Sequence, residues 1–280
     1  MIYNLIEEIK KRAAAIRKEG DYINPDTGLL HCGVCKEPKQ QIIDTHIRPP
    51  FPAVRECRCE REQRQKEREA LDRYDREQRH KELVKGIKTE AFKGFTFDKD
   101  DKRNIAVTKV CCEFVRHFAE AEKICSGLLF YGDVGGGKSF YAGCIANALI
   151  KRDVPVLFTS LRDLVDNRQA AKYNKDVERI DLKSYRLFVL DDIGAEKLNR
   201  ADLDTAFSVI DDIYLLQKPL IVTTNLTVAQ LRTPDNQETA RLYSRILERC
   251  PKPVFVDNRE HNRTTAADEK RKQIDTILNT

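Results

Sequence analysis

Residues 132–139 read GDVGGGKS. They stand between the apolar run Leu128-Leu129-Phe130-Tyr131 and the helix-compatible stretch Phe140 to Ile150. The pattern GxxxxGK[ST] in a strand–loop–helix setting carries a mechanism. A loop built from Gly132, Asp133, Val134, Gly135, Gly136 and Gly137 curls its backbone so that amide groups and the following helix N-terminus point at an anion. Lys138 then reaches the β/γ-phosphates and the Ser139 hydroxyl reaches Mg²⁺. The stretch predicts a nucleoside triphosphate site. The rival reading, a glycine-rich turn that binds nothing, does not account for the strand before it, the helix after it or the Lys-Ser pair.

Outward from this loop, short and nearly continuous apolar runs recur at Gly127 to Tyr131, Pro155 to Ser160, Arg186 to Asp191, Pro219 to Thr224 and Pro253 to Val256. Such runs are expected of strands buried on both faces of a mostly parallel sheet. Helical stretches at Phe140 to Lys151, Leu161 to Asn167, Ala201 to Leu216 and Thr239 to Arg249 separate them. The alternation predicts an α/β fold with a five-stranded sheet and the nucleotide at the carboxyl ends of the strands. The third run ends on Asp191-Asp192, where Asp191 is placed to hold Mg²⁺ through Ser139 or water and Asp192 to orient an attacking water. The fourth ends on Asn225, which either faces the γ-phosphate or simply turns the chain. Arg241, Arg245 and Arg249 recur at i, i+4 and share one face of a helix. Arginine suits charge neutralisation during phosphoryl transfer, and it is also a common surface residue.

The rest of the chain is a different material. With 280 residues there is room for an α/β domain and a smaller module, and a net charge of +5 with both signs mixed allows nucleic-acid contact without demanding it. Ile2, Leu5, Ile6, Ile9, Ala13 and Ile16 mark a short amphipathic helix. Asn24 to Glu60 is rich in proline and glycine, and Glu60 to Lys88 is a run of alternating charges that reads as a solvated helical linker. This divides the chain into an N-terminal module (1–60), a linker (61–90) and the nucleotide domain (91–280). Charges within the first twenty residues exclude a signal peptide, no run is long enough for a membrane span, and a cytoplasmic protein without membrane contact is expected. Nine cysteines then point to metal or packing rather than disulfides. Cys32-Gly-Val-Cys35 and Cys57-Arg-Cys59 offer four thiolates to one Zn²⁺ in a segment with little core of its own. The tight second pair leaves open that His46 or His31 replaces one of them. Cys111, Cys112, Cys125, Cys144 and Cys250 fall in or beside apolar runs and are expected in the core.

Taken in order, GLLFYGDVGGGKS, IANALIKRDVPVLFTS, RLFVLDDIGAE, KPLIVTTNLT and RLYSRILERC resemble the replicative-helicase loaders of DnaC type and their relatives, the IstB-like transposition ATPases. The resemblance covers roughly Phe92 to Asp257. It implies an AAA+ ATPase in which Lys138 and Ser139 belong to Walker A, Asp191 and Asp192 to Walker B and Asn225 to sensor 1. Arg245 becomes an arginine finger acting on a neighbouring subunit, with self-assembly through ATP-bridged interfaces. Two departures stand out. Asp192 occupies a place where many AAA+ proteins carry Glu, which suits a switch better than a motor. Little sequence follows Thr264 and Thr265, so a full C-terminal lid domain with its own sensor arginine is expected to be absent or truncated, with Arg259 or Arg263 as candidate replacements. The resemblance also implies that the N-terminal module docks on a hexameric replicative helicase. Single-stranded DNA would meet basic residues among Arg162, Arg168, Lys172 and Lys175, although an ordinary solvated helix face explains these equally well. The expected function is ATP-dependent helicase loading, with a transposition regulator as the alternative. A P-loop small-molecule kinase and a zinc-dependent nucleic-acid adaptor with a silent ATP site rank lower.

Overall fold

The computed structural model describes residues 2–44, 49–195, 199–234 and 237–257. The chain divides into two units, residues 1–77 and 78–280.

In the first unit, the expected amphipathic helix forms as α1 (Ile2–Ile16). Ala13 is the buried centre of its stripe, while Ile6 stays exposed. Two small antiparallel pairs follow: β1 (Tyr22–Ile23) with β2 (Leu30–His31), and β3 (Gln40–Ile43) with β4 (Phe51–Val54). Strands this short are marginal alone, and polar side chains tie them together. Gln40 donates from Nε2 to the Ile9 carbonyl (3.1 Å) and accepts the Leu30 amide at Oε1 (3.0 Å). Arg12 donates to the Pro52 carbonyl at 2.7 Å. The charged run forms α2 (Arg58–Val84), none of whose residues is buried.

The second unit begins within α2 and continues through α3 (Ile105–Arg116) and α4 (Phe118–Lys123). Next come β5 (Leu128–Tyr131), α5 (Lys138–Ile150), β6 (Val156–Ser160), α6 (Leu161–Tyr173) and β7 (Leu187–Ile193). The described part closes with α7 (Arg200–Leu215), β8 (Leu220–Thr224), α8 (Val228–Arg232), α9 (Gln237–Arg249) and β9 (Lys252–Phe255). All five long-range strands pair in parallel in the order β6-β7-β8-β5-β9. Alternation along each strand sends its side chains into two cores. Leu128, Phe130, Phe158 and Val189 pack with residues of α3 and α5 on one face. Leu129, Leu157, Phe188 and Leu190 pack with α6, α7 and α9 on the other. The sheet is therefore covered on both sides, which is why its strands read as unbroken apolar runs. No helix among the described residues is long and apolar enough to cross a membrane.

Candidate functional site

The phosphate loop is the turn from β5 into α5. Gly132, Gly135 and Gly137 have φ of 135°, 91° and 91°, a region that side chains with a Cβ rarely enter. A Cβ at Gly132 would also lie 2.5 Å from the Val256 carbonyl oxygen. Lys138 opens α5 and is 7% exposed. Its Nζ donates to the carbonyls of Gly132 (2.8 Å) and Asp133 (2.7 Å) and to Asn225 Oδ1 (2.7 Å). The loop opens on a cavity of about 730 Å³ whose lining includes Ser139, Asp191, Asp192 and Asn225. Phe92 and Phe95 lie on the wall contributed by the segment before α3, which sequence reasoning did not single out.

The two carboxylates arrive from a strand that does not touch β5. β8 lies between β5 and β7, so its C-terminal end separates the phosphate loop from Asp191 and Asp192. Asn225, just past β8, bridges that gap: Oδ1 accepts from Lys138, and Nδ2 donates to Asp192 Oδ1 at 3.0 Å. Asp191 lies deeper. Burial raises its carboxyl above the ordinary 3.8, against hydrogen bonds from Thr223 and Ser139 that favour the ionised form. Thr223 donates to Asp191 Oδ1 at 2.6 Å and accepts the Asp192 amide at 2.8 Å. A path of hydrogen bonds thus runs from Lys138 through Asn225, Asp192 and Thr223 to Asp191, and Ser139 lines the same cavity. Of these six residues, Thr223 is the one the sequence reading passed over. The signal available was the polar pair Thr223-Thr224 ending an otherwise apolar strand. Chemically, the arrangement pairs a cationic loop able to bind phosphate with two acidic side chains, one of which, with the Ser139 hydroxyl, can hold a divalent cation.

Arg245 stands elsewhere, on α9 against α7. Its guanidinium lies over the rings of Phe207 (4.6 Å) and Tyr214 (5.5 Å) and pairs with Asp211. Arg249 lies over the Tyr214 ring at 4.4 Å and donates to the Tyr214 carbonyl at 2.6 Å. Of the three arginines sharing this face, Arg241 alone is exposed. The basic residues of α6 are similarly engaged. Arg162 pairs with Asp166 (3.0 Å) and Asp202 (2.9 Å), and Arg168 with Asp212 (2.6 Å). Lys172 lies over the ring of Tyr173, a residue 81% exposed. Arg259, Arg263, Thr264 and Thr265 lie outside the described residues.

In the first unit, Cys32, Cys35, Cys57 and Cys59 bring their four sulfurs within 4.8 Å of one another. Cys59 Sγ lies 3.3 Å from Cys32 and Cys57 and 3.6 Å from Cys35. A tetrahedron of thiolates at the Zn–S distance has edges of about 3.8 Å, so the set fits zinc. A hydrogen bond from the Cys59 amide lowers the Cys35 thiol to about 6, while burial pushes the Cys57 thiol up. His31 is not in this group: its Nδ1 lies 2.9 Å from the Lys36 carbonyl oxygen, and its ring stands beside Tyr22. His46 lies outside the described residues. Cys111, Cys144 and Cys250 are buried, whereas Cys112 and Cys125 are half-buried.

Comparison with known proteins places this geometry. A putative insertion sequence ATP-binding protein of Sinorhizobium fredii is 28% identical over 151 residues, covering 52% of this chain and 50% of that protein. The replicative helicase loader DnaI of Bacillus subtilis is 25% identical over 205 residues, covering 67% of this chain and 65% of the loader. The chain thus spans between half and 65% of the length of these relatives. Among solved structures, DnaI overlays with a TM-score of 0.48 at 23% identity, covering 60% of this chain and 91% of DnaI. The DnaC helicase loader gives a TM-score of 0.48 at 22% identity, covering 60% of this chain and 100% of the loader. The family described as IstB-like ATP binding protein matches residues 60–265, the stretch that holds the phosphate loop, both carboxylates and Asn225, and the chain belongs to that family.

Proposed function

We propose that this chain is a cytoplasmic ATPase that loads a hexameric replicative helicase onto single-stranded DNA, with ATP binding and hydrolysis acting as an assembly switch. The observation that carries the ATPase reading is the hydrogen-bonded path from Lys138 to Asp191 at a cavity that Ser139 also lines. Loop amides and Lys138 bind the phosphates, and Ser139 with Asp191 would hold Mg²⁺, which supplies positive charge at the β/γ oxygens. Asp192 orients the attacking water, and Asn225 ties its carboxylate to the lysine that meets the phosphates. Arg245 would complete a neighbour's site by leaving Asp211, so assembly exchanges one anionic partner for another.

The loader reading draws support from the helicase-loader relative and from the cysteine-bearing unit. The last of its four cysteines precedes residue 60, where the family match begins, and a zinc-stapled module there gives a separate docking surface for the helicase. Lys172, Lys175 and the exposed Tyr173 ring offer cations and a stacking face to single-stranded DNA. A second reading, transposition regulation, is favoured by the insertion-sequence relative at higher identity. Co-purification from the native host decides between them. A replicative helicase recovered in an ATP-dependent complex is the expected result. Recovery of a transposase and target DNA without helicase would overturn the loader reading.

A further inference from the structure

The hydroxyl of Thr223 is the joint between the two carboxylates. The register between β7 and β8 shifts between Leu190 and Ile193, so the strand ladder is broken where Asp191 and Asp192 lie. At this break Asp192 has φ of 57°, in the left-handed region that a residue with a Cβ occupies only when its surroundings hold it there. Two side chains of β8 replace the missing ladder bonds. Thr223 Oγ1 accepts the Asp192 amide (2.8 Å), and Thr224 Oγ1 donates to the Ile193 carbonyl (2.6 Å). Both threonines are buried, at 1% and 0% exposure. A hydroxyl has one proton, and Thr223 directs it to Asp191 Oδ1 (2.6 Å), so its acceptor side is left for the Asp192 amide. One group therefore fixes the rotation of the first carboxylate and the backbone turn that delivers the second to Asn225.

We propose that Thr223 is a positioning residue of the nucleotide site: it aims Asp191 at the divalent cation and holds Asp192 in the conformation that faces the attacking water. This rests on the reading of the cavity as a Mg²⁺-nucleotide site. Thr223 acts through the two aspartates. Partners that orient a ligating carboxylate are typically worth about 10–100-fold in metal affinity, and that is the effect expected here.

The test is Mg²⁺ titration of the binding of a fluorescent ATP analogue, with a parallel arm in EDTA. Thr223→Val keeps the shape and removes the hydroxyl. It should raise the Mg²⁺ concentration needed for half-maximal enhancement of binding by about 10–100-fold, while affinity in EDTA, which depends on Lys138 and the loop amides, stays at the wild-type value. Thr223→Ser, which keeps the hydroxyl, should behave as wild type. A role in packing alone would lower the melting temperature without moving the Mg²⁺ requirement. An unchanged Mg²⁺ requirement in Thr223→Val, or a Thr223→Ser as impaired as Thr223→Val, overturns the proposal. If Thr223→Val does not fold, Thr223→Ala against Thr223→Ser carries the same comparison by the same criteria. Wild-type protein that binds the analogue in neither arm refutes the nucleotide site and this proposal together, whereas wild-type binding with an insensitive Thr223→Val refutes this proposal alone.

Discussion

Arg245→Ala separates a structural bracket from a residue that serves a neighbouring subunit. The guanidinium lies 4.6 Å from the Phe207 centroid and 5.5 Å from that of Tyr214. Both are within cation–π range, and each is worth about 0.5–1 kcal/mol at a partly exposed site. The ion pair with Asp211, whose two side chains are 28% and 33% exposed, adds about 0.5–1 kcal/mol. Truncation should therefore cost about 2 kcal/mol, or a fall of about 4–8 °C in the melting temperature of a unit of this size. Arg241→Ala on the same helix removes an exposed side chain and should stay within about 0.5 kcal/mol of wild type. The chain has no tryptophan, so far-ultraviolet circular dichroism is the practical probe. Asp211→Ala should be less costly in the Arg245→Ala background than in wild type, because contacting residues couple. Equal melting of Arg245→Ala and Arg241→Ala, together with additivity between Arg245 and Asp211, would refute the bracket. Turnover is then read below the melting transition. Arg245→Ala and Lys138→Ala should each be inactive alone and partly active when mixed. Absence of restoration, with wild-type turnover independent of concentration, would confine Arg245 to its own chain.

Elemental analysis should find about one zinc per chain, and chelation should expose the amides of residues 2–44 to hydrogen exchange while β5 to β9 stay protected. His31→Ala should keep its zinc, because that ring is turned to the Lys36 carbonyl, and loss of zinc in this variant would contradict the four-cysteine set. The hydrogen bonds and charge of Arg186 outweigh partial burial and hold the Glu122 carboxyl below the ordinary 4.5. The folded form therefore gains stability from this pair above about pH 4.5 and loses it as pH falls through the depressed value. The difference in melting temperature between wild type and Glu122→Gln should accordingly shrink on acidification, and a difference independent of pH would be inconsistent with the pairing.

The elements that read most directly from the sequence are those whose environment is uniform along their length. β5, β6 and β8 are covered on both faces, so each run stays apolar up to the polar residues that close β6 and β8, and their predicted bounds fall within a residue of those observed. α1 declares itself by spacing and spans the apolar positions from Ile2 to Ile16. Where an element depends on partners far along the chain, its reading is incomplete. α6 continues to Tyr173, past the predicted Asn167, because Arg168 and Gln169 in its later turns find Ser208, Asp212 and Asp202 on α7. Ion pairs to Asp202 and Asp212 remove Arg162 and Arg168 from a freely solvated face. At the site, the loop, Asp191, Asp192 and Asn225 were legible as strand-end residues, and they meet at one cavity. Thr223 was not, because the polar pair that closes β8 marks only a strand end, while the importance of Thr223 comes from a break in register with β7. The i, i+4 spacing correctly put three arginines on one face, but Phe207, Asp211 and Tyr214, which cover that face, belong to another helix.

The interposition of β8 makes the sheet a ruler. Neighbouring strands are spaced by about 4.8 Å, so two steps set the phosphate loop on β5 and the carboxylates on β7 roughly 10 Å apart at the backbone. That gauge is defined by main-chain hydrogen bonding, and substitutions in the loop or among the carboxylates leave it untouched. It leaves a width between the two walls that a phosphoryl group with its cation and a water can fill. If β5 and β7 were adjacent, the width would be halved and the acidic groups would close directly onto Lys138. The fold thus fixes the size of what can stand between lysine and carboxylate before any side chain in the site has been chosen.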